Sequence, residues 1–270
     1  MKALLFLLVS FFLCCSPFYS QSSFKLISDN PVIADFVVTD ELGNVYLMTG
    51  SSIERINALG KGVYRASELQ WGEFHDVDVT DPLRPFVHFP ASGKVVFFDN
   101  TLSVQGSPID LFEAGFDNVE WMCGSRGDGY WLWDGRNSEL VRVDRSFKKS
   151  FSTGNLSMLL NHEIHPIGMT ERGSYLYLLC EDSTLHVFDM FGTWKKRIFV
   201  ERVKNWMADA DNLYLFHSDG SLEVIDTRTW LSERMNLPLV GSAYCFQAGR
   251  LYVLSDGRLR TYDFVETIRN

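Results

Sequence analysis

The chain has 270 residues, 46% of them hydrophobic and 14% aromatic, and a formal net charge of −9. An acidic balance excludes binding through a nucleic-acid phosphate backbone, which needs a basic surface. No apolar run reaches the roughly 18 residues of a membrane-spanning helix.

The first 22 residues read as a leader and not as part of a fold. Lys2 gives a charged start, and Ala3 to Cys15 is an apolar core of signal-peptide length. Ser20 and Ser22 are small residues before a cut at Ser23, with a cut before Gln21 as the alternative. A lipid anchor on Cys14 or Cys15 is disfavoured, because Phe11, Phe12 and Leu13 make a poor lipobox. The expectation is a signal peptide over 1–22 and one domain over 23–270, periplasmic or secreted and not membrane-spanning. A chain of that length buries well over half of its unfolded surface.

Phe24 to Ile27 is a short strand candidate, and Val32 to Thr39 reads as an inner strand. From there one unit recurs: a short apolar strand, a Gly/Ser/Asp turn, and a second β-rich strand closed by an acid or amide. The clearest copy is Asn212 to Asp226, NLYLFHSDGSLEVID. Its first strand is apolar on both faces, as a strand sandwiched between two layers must be. The other copies begin at Asn44, Phe86, Tyr130, Tyr175 and Leu251, and the closing residues fall at 57, 99, 144, 189, 226 and 263. A period of roughly 40 residues with four short strands per unit specifies a β-propeller. The expected fold is all-β, a six-bladed propeller of four-stranded antiparallel blades. The last repeat lacks a fourth strand, so Phe24 to Ile27 is expected to supply it and close the ring, which removes exposed edges.

The connections between blades are richer in apolar residues than solvated loops need. Trp71 and Phe74 lie in the entry to blade two; Ile109, Leu111, Phe112 and Phe116 lie between blades two and three. Met158, Leu159 and Leu160 lie between blades three and four. Any of these left exposed together form a candidate partner surface.

Chemistry is sparse. Cys123, Cys180 and Cys245 fall in different repeats without CxxC spacing and read as buried small hydrophobes. His162-Glu163-Ile164-His165 is not HExxH. Asp76, Asp78 and Asp81 lack the glycine of a calcium loop and read as a strand edge and turn. Asp209, Asp211 and the repeat-closing acids read as turn caps. Trp121, Trp131 and Trp133 read as inter-blade core. There is no GxSxG elbow and no Gly-rich phosphate loop. The hairpin turns are short and lack convergent His, Lys or nucleophile groups. The residues therefore supply no catalytic, cofactor or metal site.

The recurring unit resembles secreted β-propellers of the broad PQQ-like and WD40-like kind over nearly all of residues 23–270. It departs from WD40 repeats in lacking the Trp-Asp and Gly-His signatures, and from PQQ enzymes in lacking their tryptophan docking motif and metal ligands. VDVTDPLRPFVHFPASGKVVFFDNTL and GYWLWDGRNSELVRVD are similar to a group of secreted propellers of Bacteroidota. That similarity implies a periplasmic, envelope-associated protein and carries over no catalytic residue. Asp182-Ser183-Thr184 is similar to the short O-glycosylation pattern of that phylum. The expected function is a non-catalytic platform for protein partners in an outer-membrane assembly, secretion or surface complex. The alternative is a glycan- or small-molecule-binding, even hydrolytic, propeller with its site at the channel mouth.

Overall fold

A computed structural model describes residues 21–50, 52–57, 63–67, 70–74, 77–126 and 128–267. Residues 1–20, and with them nearly all of the expected leader, lie outside the described residues.

Six separate four-stranded antiparallel sheets make six blades. The chain starts with β1 (Gln21–Pro31). Blade one is β2 (Phe36–Thr39), β3 (Val45–Thr49), β4 (Ser52–Ile56) and β5 (Tyr64–Ala66). Blade two is β6 (Val77–Asp78), β7 (Phe86–Phe89), β8 (Lys94–Phe97) and β9 (Ile109–Asp110). Blade three is β10 (Val119–Gly124), β11 (Tyr130–Asp134), β12 (Glu139–Val143) and β13 (Lys149–Ser152); helix α1 (Leu156–Leu160) follows it. Blade four is β14 (Pro166–Arg172), β15 (Tyr175–Cys180), β16 (Thr184–Asp189) and β17 (Trp194–Phe199). Blade five is β18 (Val203–Ala208), β19 (Asn212–His217), β20 (Ser221–Asp226) and β21 (Ser232–Asn236). Blade six is β22 (Ala243–Gln247), β23 (Arg250–Ser255) and β24 (Arg258–Thr267), completed on its outer side by β1.

The ring closure expected from Phe24 to Ile27 is present, on a longer strand. Phe24 pairs with Phe264 in register, their rings 5.4 Å apart, and the ladder bulges between Leu26 and Ser28. Arg258 donates to Asp29 at 2.7 Å from the partner strand. The inner strand of blade one is shorter than its sequence suggests. Only Phe36–Thr39 pairs with β3, because the Val32 amide is drawn away to the Gly257 carbonyl at 2.9 Å.

The second strand of each blade is buried on both faces, which explains its unbroken apolar run. Trp131, Trp133, Tyr177 and Phe216 are among the largest fully buried side chains. Each hydrophobic cluster joins two neighbouring blades: Tyr46 and Met48 of blade one pack with Val87 and Phe89 of blade two, and Trp131 and Trp133 of blade three pack with Leu176 and Leu178 of blade four. Burying each such side chain stabilises the ring by about 1.5–3 kcal/mol.

The repeat-closing acids hold turns. Asp99 accepts from the Thr101 and Ser103 amides, Asp144 from Ser146 and Lys148, Asp189 from Phe191 and Thr193, and Asp226 from Arg228 and Thr229. Asp263 differs: it lies inside β24 and pairs with Arg250.

Candidate functional site: the connection face and the channel

Antiparallel blades put the turns between second and third strands on the same face of the ring as the connections between blades. The structure fixes that face by one repeated bond. In five of the six connections the amide of an apolar residue donates to a carbonyl in the preceding hairpin turn: Leu111 to Gly93, Leu156 to Ser138, Val200 to Ser183, Leu237 to Gly220 and Val32 to Gly257, all at 2.8–2.9 Å. Each acceptor residue has positive φ, from 51° at Ser138 to 82° at Gly220. The left-handed conformation aims the carbonyl at the connection, and Gly adopts it without steric cost. The donor's own side chain turns inward: Leu111 is 0% exposed, and Leu156 and Val200 are buried.

The neighbours of these inward residues turn outward. Ile33 (91% exposed) follows Val32, Phe112 follows Leu111, and Phe199 precedes Val200. Met158 (82% exposed) and Leu159 (68%) stand on α1 while Leu156 is buried beneath them. Asn155 caps that single helical turn by accepting from the Met158 amide, and Asn161 ends it in the left-handed region. A five-residue helix between two asparagines is too short to leave a helical period in the sequence.

The candidate partner residues therefore divide. Phe112, Met158 and Leu159 face outward. Leu111 is core and is removed from the surface. Trp71 and Phe74 are half-buried, each with its ring 5.7 Å from Phe89 in the core between blades one and two. Ile109 and Phe116 pack against the core between blades two and three, and Leu160 against that between blades three and four. The sequence reading missed Ile33, Phe199 and Val240, which are exposed on the same face. Each stands next to an apolar residue of a connection: Val32, Val200 and Leu239 respectively.

The inner strands enclose a central channel of about 760 Å³. Among the charged groups lining it is Glu171 on β14, which is buried. Glu171 accepts from Trp131 Nε1 at 2.6 Å, from Ser125 Oγ at 3.0 Å and from the Arg126 amide at 2.6 Å. Asp78 accepts the Gly124 amide at 2.7 Å, joining blades two and three. Arg172 donates to Thr80 Oγ1 at 2.6 Å, spanning from blade four to blade two. Near the other mouth, Trp121 donates to the Pro166 carbonyl at 2.9 Å and Trp206 lies over Gly168. These polar groups spend their bonding capacity on holding blades together. Glu171 spends three of a carboxylate's roughly four lone-pair sites on donors from blade three.

The remaining sequence candidates are structural. Cys123, Cys180 and Cys245 are buried free thiols; burial raises Cys123 and pushes Cys180 up to about 12, so neither is a nucleophile near neutral pH. His162 contacts Asp182 at 2.7 Å, tying the end of the α1 connection to the turn of blade four. Asp182 is held below the usual carboxylate range, against its burial, by bonds from Thr184 and His162. The Asp182-Ser183-Thr184 stretch is itself that turn: Ser183 has φ 62°, and Thr184 is buried with its hydroxyl on Asp182. Asp81 accepts the Leu83 amide, and Asp76 lies outside the described residues. Among the described residues no three His, Cys, Asp or Glu side chains converge as metal ligands, and no helix is long and apolar enough to cross a membrane.

Fold and face together define a six-bladed β-propeller of four-stranded antiparallel blades. No protein-family model and no curated protein sequence matches the chain. Solved structures do. Virginiamycin B lyase from Staphylococcus aureus is similar at TM-score 0.59 and 10% identity, over 90% of this chain and 100% of that one. The Pan2 WD40 domain of Neurospora crassa gives TM-score 0.58 and 9% identity over 89% and 91%. A chain of the mitotic checkpoint complex gives TM-score 0.60 and 12% identity over 99% of each. At these identities the likeness is one of fold. The neighbours include both an enzyme and a component of a protein complex, so fold alone does not decide between the two.

Proposed function

We propose that this chain is a non-catalytic periplasmic propeller that serves as a protein-interaction platform, a subunit of an outer-membrane assembly, secretion or surface complex. The observation that carries the reading is the stapled connection face. It holds large apolar side chains outward on short, hydrogen-bonded supports, so little ordering is lost when a partner docks. In the channel, by contrast, Asp78, Trp121, Glu171 and Arg172 are engaged in joining blades. Similar structures include a chain of the mitotic checkpoint complex and one of BBS1N in complex with ARL6DN (TM-score 0.55, 14% identity).

The test is affinity purification of the tagged chain from native envelope in mild detergent, with mass spectrometry of what co-purifies. The platform predicts a stoichiometric protein partner. A clean monomer overturns it. The second reading, a glycan or small molecule in the channel, draws on the volume of the channel and the tryptophans Trp121 and Trp206 on its wall. That reading predicts thermal stabilisation by a soluble envelope fraction freed of protein.

A further inference from the structure

We infer that the connection face takes a partner segment in which apolar side chains are flanked by lysine or arginine. The inference rests on the platform reading and names its partner chemistry. Apolar exposure alone does not select a face, because Leu42, Leu83, Phe191 and Leu231 are exposed on the opposite one. The carboxylates separate the two. On the opposite face Asp40, Asp99, Asp144, Asp189, Asp209 and Asp226 are committed to turn amides. Glu41 and Asp211 are the exceptions there; Arg84 adds positive charge, while Arg145 is paired with Asp128, Arg228 with Asp226, and Arg126 donates to the Gly173 carbonyl.

On the connection face, Asp35, Glu113, Asp117, Glu181 and Glu201 are all exposed. None of their carboxylates accepts a hydrogen bond or forms an ion pair among the described residues. They stand beside the outward apolar groups in the chain: Asp35 near Ile33, Glu113 next to Phe112, and Glu201 two residues from Phe199. Glu181 opens the blade-four turn to which His162 is tied. The cations of this face are fewer. Lys94 is paired with Asp110, Arg234 with Asp219 and Arg258 with Asp29, and Lys204 donates to the Gly241 carbonyl. Arg136 and Arg202 stand against the free acids. Uncommitted carboxylates interleaved with apolar side chains repel nucleic acid and anionic lipid. They steer and align a basic, apolar segment.

Two arms test this. First, purified full-length chain is titrated with three synthetic peptides that share one amphipathic apolar pattern and carry all Lys, all Gln or all Glu at the polar positions. The Lys peptide is expected to bind about tenfold or more tighter than the Glu peptide at low salt, the gap closing at high salt. A Glu113→Gln, Asp117→Gln, Glu181→Gln variant is expected to lose several-fold for the Lys peptide alone. Equal binding of the three peptides, or binding of none, overturns the inference. Second, a photo-crosslinking residue is placed at Met158, and separately at Leu83, in chain purified from native envelope. A partner segment rich in Lys or Arg that crosslinks from 158 and not from 83 supports it. A stoichiometric partner whose segment at 158 is acidic or uncharged overturns the basic partner while leaving the platform. Absence of any partner overturns both.

Discussion

Trp131 on blade three donates its indole N–H to the buried carboxylate of Glu171 on blade four at 2.6 Å, 40 positions further along the chain. Ser125 Oγ and the Arg126 amide converge on the same carboxylate. Three donors from one blade thus end on one side chain of the next. Glu171→Ala leaves all three unsatisfied beside a cavity and is expected to cost roughly 2–4 kcal/mol. Trp131→Phe keeps an aromatic ring but loses one donor and leaves a small cavity, for about 1–3 kcal/mol. Denaturant unfolding of the purified chain reads both. Equal, near-zero losses would show that the contact is incidental.

Gly93 has φ 62°, and a Cβ there would come within 2.8 Å of the Phe112 ring. Gly93→Ala combines left-handed strain with displacement of that ring. A loss of about 1–2 kcal/mol is expected, with a change in the reactivity of the connection to limited proteolysis. Gly249, also at positive φ but with open space around its Cβ, is the control: Gly249→Ala keeps only the backbone cost, about 1 kcal/mol.

Removal of β1 tests ring closure. A chain starting at Val32 exposes the whole edge of β24, so it is expected to self-associate and to lose several degrees in Tm. Arg258→Ala, which removes an exposed ion pair with Asp29, is expected to cost less than about 1 kcal/mol. Size-exclusion chromatography with light scattering separates the two cases.

Stability should fall on mild acidification. His186 is buried, accepts a bond from Trp194 Nε1 at 3.3 Å, and has its pKa depressed by burial to about 4. At pH above 6.5 it is neutral in both folded and unfolded chains and contributes no pH dependence. Between 6.5 and about 4 only the unfolded chain takes the proton, so stability falls across that window. His186→Gln is expected to flatten this part of the profile. Below it, protonation of Asp226, held near 2 by turn amides and Arg228, removes turn bonds in turn.

Much of the fold was legible because a propeller writes itself periodically. Doubly buried second strands leave runs such as Tyr130 to Trp133, and turn caps leave acids such as Asp144 and Asp226 at fixed places. The outer strand of blade six was legible by subtraction, since the last repeat was one strand short. The connection face was legible only in part. Phe112, Met158 and Leu159 are exposed, while Leu111 beside them is core. Which neighbour turns inward is set by a backbone bond to a positive-φ carbonyl, and that bond has no side-chain signature. The same bond drew Val32 out of the strand in which its hydrophobicity placed it. Glu171 was missed because Glu171-Arg172-Gly173 reads locally as no more than the end of a strand, and its meeting with a tryptophan from another blade leaves no local signal.

The most direct measurement of the platform is paired affinity purification from native envelope. One variant carries Phe112→Ser, Met158→Ser and Leu159→Ser on the connection face; the other carries Leu42→Ser and Leu83→Ser on the opposite face. All five side chains are exposed, so both variants are expected to fold with the unfolding midpoint of the wild type. The account predicts that a stoichiometric partner is retained by the second variant and lost from the first. Retention by the first variant with loss from the second would contradict the assignment of the face, and no partner with any of the three chains would contradict the platform itself.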